Sequence, residues 1–196
     1  MATLDLFANR QDLPNGLAYQ PECIAPREEA ELLHHIAALP LAEAQYKEYT
    51  AKRRTVSFGS SYDFSANTLD EEPPVPDFLL PLRDKAAAWV GLAPADFAHA
   101  LVTEYRPGTP LGWHRDVPQF AVVVGVSLAG ACRMRFRPHP RYAASGQAFT
   151  LDLAPRSAYV LRDEVRWRWQ HSVSPTKALR YSITFRTLRH GAAPNQ

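Results

Sequence analysis

Two hydrophobic rhythms divide the chain. Near its start, Pro26 is followed by Glu28 and Glu29, and then by Leu32, Leu33, Ile36 and Ala37. A proline at the first position, acids in the first turn and an apolar stripe at three- and four-residue spacing predict a helix. A second helix is predicted from Pro76 and Asp77 through Phe78, Leu79, Leu82, Ala86, Trp89 and Val90, with Gly91 ending it. Between them, Lys52 to Glu72 carries Phe58, Tyr62 and Phe64 without a helical period and closes on the Pro-rich turn Glu71 to Pro76, so it predicts strands and a loop. From about Ala98 the rhythm shortens to β-like runs separated by turns: His99–Tyr105, Phe120–Leu128, Cys132–Arg137, Ala148–Leu153, Tyr159–Leu161, Arg166–His171 and Leu179–Leu188. Short strands after two helices predict an α+β chain. Its strands must hide their edges, which favours a closed or sandwiched antiparallel form such as a jelly roll.

Composition narrows the class. At 196 residues the chain is one domain, or one domain with an N-terminal extension. A chain of this size buries about 70% of its extended surface and needs no staples. With 46% hydrophobic and 21% charged residues it reads as a soluble globular protein. Cys23 and Cys132 have no CxxC spacing, which argues against a disulfide scaffold and fits a reducing cytosol. No apolar run approaches the length of a membrane span, and Met1 to Arg10 lacks a signal-peptide core, so a cytoplasmic protein without membrane association is expected. A net charge of +2 does not by itself establish a nucleic-acid partner. The arginines cluster, however: Arg133, Arg135 and Arg137 alternate with Met134 and Phe136. That stripe is either a solvated face or a track for phosphates.

The candidate chemistry begins at Trp113-His114-Arg115-Asp116. In extended chain, residues i and i+2 point to one side, so His114 and Asp116 can present an imidazole and a carboxylate to one point. His171 is the best third ligand, because it ends the alternating run Val165, Trp167, Trp169 on its apolar side, with Arg166, Arg168 and Gln170 between. Two histidines and a carboxylate form the facial triad of non-heme iron(II) oxygenases, although ligand type alone suits zinc equally, and a histidine on an apolar face is often only a core residue. The last strand alternates Arg180, Ser182, Thr184 and Arg186 against Tyr181, Ile183 and Phe185. The two arginine Cα atoms would be about 20 Å apart. Long guanidinium side chains leaning together from that distance suit a five-carbon dicarboxylate, and a solvated basic face is the alternative.

These parts together resemble the AlkB family of nucleic-acid dealkylases: Tyr105-Arg106-Pro107-Gly108, then His114-x-Asp116, then His171, then Arg180-Tyr181-Ser182-Ile183-Thr184-Phe185-Arg186. The order and spacing of all four parts agree, and the resemblance covers roughly Gly16 to Arg189, strongly from Val102 onward and loosely before. The resemblance implies a double-stranded β-helix (jelly-roll) core. One dioxygenase domain would span 1–196, with helices and a nucleotide-recognition lid in 1–97 and the catalytic core in 98–190. It implies iron(II) on His114, Asp116 and His171, and 2-oxoglutarate on Arg180 and Arg186 with the Tyr105 hydroxyl. Thr103 and Ser182 stand where many members carry an asparagine that helps hold this co-substrate; both can still hydrogen-bond. With O₂ as oxidant, an N-methyl group on a base of the 1-methyladenine or 3-methylcytosine type would be lost as formaldehyde, with release of succinate and CO₂.

The partner would be alkylated DNA or RNA, met by a monomer. Phe64 would stack on the extruded base opposite His114, and Tyr62 would contact the base or its phosphate, with Trp113 a further substrate contact. Lys52 to Glu72 would be the lid over the metal. Pro118 stands where some members use an acid to read the damaged base. Trp167 and Trp169 are expected as core and pocket wall. A hydroxylase of the same fold acting on a protein, a lipid or modified tRNA remains the alternative, and a jelly-roll binding module without redox chemistry a third reading.

Overall fold

The computed structural model describes residues 13–46, 49–63, 68–71 and 73–189. Helix α1 (Pro26–Ile36) begins at the expected proline, and the Glu28 carboxylate accepts from the Ala25 backbone N–H. Helix α2 (Leu80–Val90) follows a 3₁₀ turn at Asp77–Leu79 and ends on Gly91 in the left-handed region. The strands are β1 (Leu17–Gln20), β2 (Ala42–Tyr46), β3 (Tyr49–Asp63), β4 (Thr68–Glu71), β5 (Phe97–Tyr105), β6 (Leu111–His114), β7 (Phe120–Leu128), β8 (Cys132–Pro138), β9 (Phe149–Leu153), β10 (Ser157–Leu161), β11 (Trp169–Val173) and β12 (Arg180–Leu188).

They form two antiparallel sheets. The larger runs β1-β10-β7-β12-β5-β3-β2, with β4 paired to β3; the smaller runs β6-β11-β8-β9. This is the jelly-roll core expected from the strand count. Strands β1, β2 and β3, from the first 97 residues, belong to the same sheet as β5, β7, β10 and β12. Strand β3 leaves that sheet near Gly59, whose φ of +82° and close approach to the Ala98 carbonyl leave no room for a side chain. It then pairs with β4, with Tyr62 opposite Leu69. The segment expected as a lid is therefore largely a strand and a hairpin, and Phe64 lies outside the described residues.

Alternation sorts the larger sheet into two faces. Val102, Val124, Val126, Ile183 and Phe185 point to one side and pack with Leu32, Ile36, Leu79, Leu82 and Ala87 of the helical layer. The other side faces the smaller sheet and is mixed: Thr103, Ser127, Ser157, Arg180, Ser182 and Thr184 are buried there, while Val123, Tyr159 and Leu161 pack with Met134, Phe136 and Leu153 of the smaller sheet. The buried polar groups must find partners between the sheets, which marks a polar pocket beside that apolar cluster.

One expected element differs. Arg166–His171 is not a continuous strand: α3 (Asp163–Arg168) comes first and β11 starts at Trp169. Val165 and Trp169 are both buried, and a spacing of four satisfies the strand period and the helix period alike. Asp163 and Glu164 in the first turn, with Arg166 and Arg168 in the last, complement the helix dipole and decide for helix.

Gly125 makes a sharp test of side-chain packing on the inner face of the larger sheet. Its position on β7 faces Tyr159 of β10, and an added Cβ would overlap the phenol ring. Gly125→Ala should cost about 1–3 kcal/mol, the usual penalty of overpacking, measured by denaturant melting.

Candidate active site

The strand register brings the three predicted metal ligands together. His171 on β11 pairs with His114 on β6, so both imidazoles leave the same face of the smaller sheet, with ring centroids 4.2 Å apart. Asp116 follows two residues after His114, and its Oδ2 lies 3.6 Å from His171 Nε2. Among the described residues no three His, Cys, Asp or Glu side chains stand, as placed, in a geometry that could hold a metal ion; His114, Asp116 and His171 are neighbours with one carboxylate oxygen tied elsewhere. Asp116 Oδ1 accepts from Arg186 Nε at 3.2 Å and Nη2 at 3.1 Å.

Three observations bear on whether these residues fit a metal. Asp116 Oδ2 is buried and has no hydrogen-bond partner; an orphaned carboxylate oxygen is an incomplete arrangement that a cation would satisfy. His114 Nδ1 lies 2.9 Å from the Gly112 carbonyl. A carbonyl only accepts, so Nδ1 carries the proton and Nε2 keeps its lone pair for a ligand. Burial, reinforced by the adjoining His114, pushes the His171 imidazole down to about 3, and burial lowers His114 too. Both rings are therefore neutral at neutral pH. Burial alone would raise the Asp116 carboxyl, but the Arg186 guanidinium, helped by His171 and Arg166, holds it well below the usual range and ionised. Two neutral imidazoles and one carboxylate are the donor set of a divalent metal site with open positions.

Beyond the triad lies the polar face of the larger sheet. Arg180 is only 2% exposed. Its Nε donates to Ser127 Oγ at 3.0 Å, its guanidinium lies 4.9 Å from the Tyr105 ring centre, and its Nη1 is buried without a partner. Thr103 and Ser182 face each other across β5 and β12, both buried. Arg186 faces inward as expected, yet it meets Asp116, and its Nη1 donates to His99 Nδ1 at 3.1 Å. Burial, with Arg186 beside it, pushes the His99 imidazole down to about 3, so the ring stays a neutral acceptor. His99, set into β5 opposite Arg186, was not singled out in the sequence; the strand pairing that reveals it has no local signature.

Arg166 was also missed, because the strand reading sent it to solvent. It is 3% exposed, and its Nη2 donates to the carbonyls of Val117 and Phe120 at 2.6 and 2.7 Å. It thereby ties down the loop that follows Asp116. Arg166→Met should cost about 1–3 kcal/mol by leaving those carbonyls without their donor, read in a denaturant melt.

Trp113 lies where alternation puts it, on the face of β6 opposite to His114. Its ring meets the guanidinium groups of Arg137 at 4.3 Å and Arg135 at 5.0 Å on the outside of the smaller sheet, so it does not share the pocket of the triad. Tyr62 is in β3, but only its backbone is described. Trp169 is buried, as expected for core, whereas Trp167 is half-buried under Arg166 and Arg189. No helix among the described residues is long and apolar enough to cross a membrane.

A profile of the 2OG-Fe(II) oxygenase superfamily matches residues 18–186. The chain is 28% identical over 173 residues to the tRNA (carboxymethyluridine(34)-5-O)-methyltransferase ALKBH8 of Macaca fascicularis, covering 85% of this chain and 25% of that protein. It is 27% identical over 195 residues to the alkylated DNA repair protein ALKBH8 homolog of Arabidopsis thaliana, covering 87% of this chain and 54% of that protein. The chain thus spans about a quarter to a half of the length of these relatives. The solved structure of OsALKBH1 matches its fold with a TM-score of 0.73 at 15% identity, covering 89% of this chain and 98% of that one.

Proposed function

Because the chain belongs to the 2OG-Fe(II) oxygenase superfamily and, within it, to the AlkB family, we propose that this iron(II)- and 2-oxoglutarate-dependent dioxygenase removes alkyl groups from nitrogen atoms of DNA or RNA bases. One observation carries the site assignment: a buried, unpartnered carboxylate oxygen on Asp116 beside two neutral imidazoles, in a polar pocket that also buries the unpaired Arg180. His114, Asp116 and His171 are the metal ligands in this reading. The bound iron supplies, with 2-oxoglutarate and O₂, the oxidising power that no side chain has.

The chain's own residues do the rest. The Arg180 guanidinium would hold a carboxylate of 2-oxoglutarate by charge-assisted hydrogen bonds, and Tyr105, Thr103 and Ser182 would add neutral ones. Arg186, braced by His99, holds Asp116 Oδ1 and would leave Oδ2 as the oxygen available to a metal. Arg166 anchors the loop behind it. An alkylated base turned out of its strand would enter over His114, with Phe64 and Tyr62 of the proposed lid on its other side. The reacting unit is the whole chain read as one domain, with 98–190 as its catalytic core. Its two free cysteines suit a reducing, cytoplasmic setting.

A second reading has its own support, since several relatives carry names of tRNA enzymes: hydroxylation of a modified tRNA base without loss of a group. The test is incubation with iron(II), 2-oxoglutarate and either methylated DNA and RNA oligonucleotides or unfractionated tRNA, followed by mass spectrometry. Loss of methyl with formaldehyde and succinate supports dealkylation. A gain of one oxygen on tRNA alone moves the assignment to the second reading. Succinate release that no nucleic acid stimulates overturns both.

A further inference from the structure

The outer face of the smaller sheet carries a second surface that none of the proposed chemistry uses. Strand alternation turns Arg135 and Arg137 of β8 outward, while Met134 and Phe136 are buried beneath them. Arg135 donates to Ser172 Oγ at 3.0 Å and Arg137 to Gln170 Oε1 at 2.9 Å. Both guanidiniums also lie against the Trp113 ring. The cluster continues around His139, whose imidazole is lowered by its own desolvation and by Arg115, Arg141 and Arg137. Arg168, next along, lies 5.6 Å from the ring centre of exposed Tyr142.

Counter-charge is what separates this cluster from the rest of the surface. Arg133, on the same strand, pairs with Asp152 at 2.8 Å, Arg156 with Glu22 and Glu29, and Arg54 with Glu104. Among the described residues no carboxylate pairs with Arg115, Arg135, Arg137, Arg141 or Arg168; the side-chain bonds of Arg115, Arg135 and Arg137 go to neutral oxygens, as Arg115 Nη1 does to the Trp167 carbonyl. Rigidly held guanidiniums with spare N–H groups, set against an indole, match a phosphodiester backbone: the cations suit phosphate oxygens, and the planar groups suit an unpaired base. The cluster lies on the same stretch of chain as the proposed ligands, because Arg115 stands between His114 and Asp116 in the sequence and bonds outward to the Trp167 carbonyl.

We propose that Trp113, Arg135, Arg137 and the arginines around His139 form a phosphate-binding track that holds the nucleic-acid strand flanking the target base, outside the catalytic pocket. The proposal rests on the nucleic-acid reading above. Held by neutral partners in the free protein, these arginines need break no ion pair when phosphates arrive.

Binding of an unmodified single-stranded oligonucleotide to the full chain, followed by fluorescence anisotropy from low to high salt, tests it. Two lost phosphate contacts should lower the slope of log affinity against log salt by about 1.4 in the double variant Arg135→Gln, Arg137→Gln, at about 0.7 per contact for a single strand. Carried from 1 M to 0.1 M salt, that is about 25-fold in affinity. Conversion of 2-oxoglutarate to succinate without nucleic acid should be unchanged. Arg141→Glu, at an exposed position of the 3₁₀ helix Pro140–Ser145, should lower the slope in the same direction and serves if the double variant is unstable. Wild-type binding with an unchanged slope in both variants overturns the track and leaves the dealkylase reading standing. If the wild type binds no oligonucleotide and no oligonucleotide stimulates succinate release, both fall together.

Discussion

Asp116→Ala should lose its iron and at least about 100-fold of its succinate-forming activity, since even the groups that merely support metal ligands are worth 10–100-fold. The same substitution should also lower stability by about 3–5 kcal/mol in metal-free protein, the usual consequence of removing one partner of a buried ion pair. The second effect follows from the surroundings. The Asp116 side chain is 8% exposed and its partner Arg186 11%, while Arg166 lies close enough to feel the same carboxylate. Without Asp116, two guanidiniums remain inside the protein with no carboxylate between them. Asp116→Asn separates the roles, because it keeps the shape and one acceptor oxygen for Arg186 but removes the charge a metal needs. It should retain more stability than the alanine variant while still losing iron. Metal content measured by elemental analysis, beside a denaturant melt, checks both statements without reference to turnover. Retention of a full equivalent of iron by Asp116→Ala would remove Asp116 from the ligand set.

How far the sequence reaches is visible in particular residues. Strand β12 was legible almost to its ends because of its period-two alternation, and β7 because its short apolar run is rich in β-branched valine. Helix α2 was legible from its proline-rich entry and its Gly91 cap. His114 and Asp116 carry a local spacing, and His171 was found because it ended an alternating run, although half of that run proved to be α3. The run misled because Val165 and Trp169 fit either period, and with it Arg166 was lost. Strands β1 and β6 were missed because four residues are too few to show a rhythm. His99 and the tie between Arg186 and Asp116 depend on which strand lies beside which, and that information is spread over nonlocal pairs. Trp113 shows the opposite failure: its place next to His114 suggested a shared pocket, whereas one step along a strand reverses the face.

Arg180→Met should separate binding from folding in the opposite sense to Asp116. Arg180 is among the largest fully buried side chains of the protein. A bond to Ser127 Oγ satisfies Nε and the Cys132 side chain is a further partner, while Nη1 is left without one. A buried cation in that state destabilises the free protein; it belongs there only if an anion completes it. Methionine has similar length and no charge, so the variant's melting should stay level or rise in the absence of ligands. Its half-saturating concentration of 2-oxoglutarate should rise about 10- to 150-fold, which is the loss of one hydrogen-bonded charge contact of about 1.5–3 kcal/mol. Wild-type protein should gain melting temperature on adding 2-oxoglutarate, because a ligand that binds only the folded state stabilises it by mass action, and the variant should show little gain at the same concentration. Arg180→Lys keeps the charge but not the fork of donors, and should fall between the two. A variant that melts lower and yet keeps the wild-type response to 2-oxoglutarate would make Arg180 a structural residue, and the co-substrate pocket would have to be sought elsewhere between the sheets.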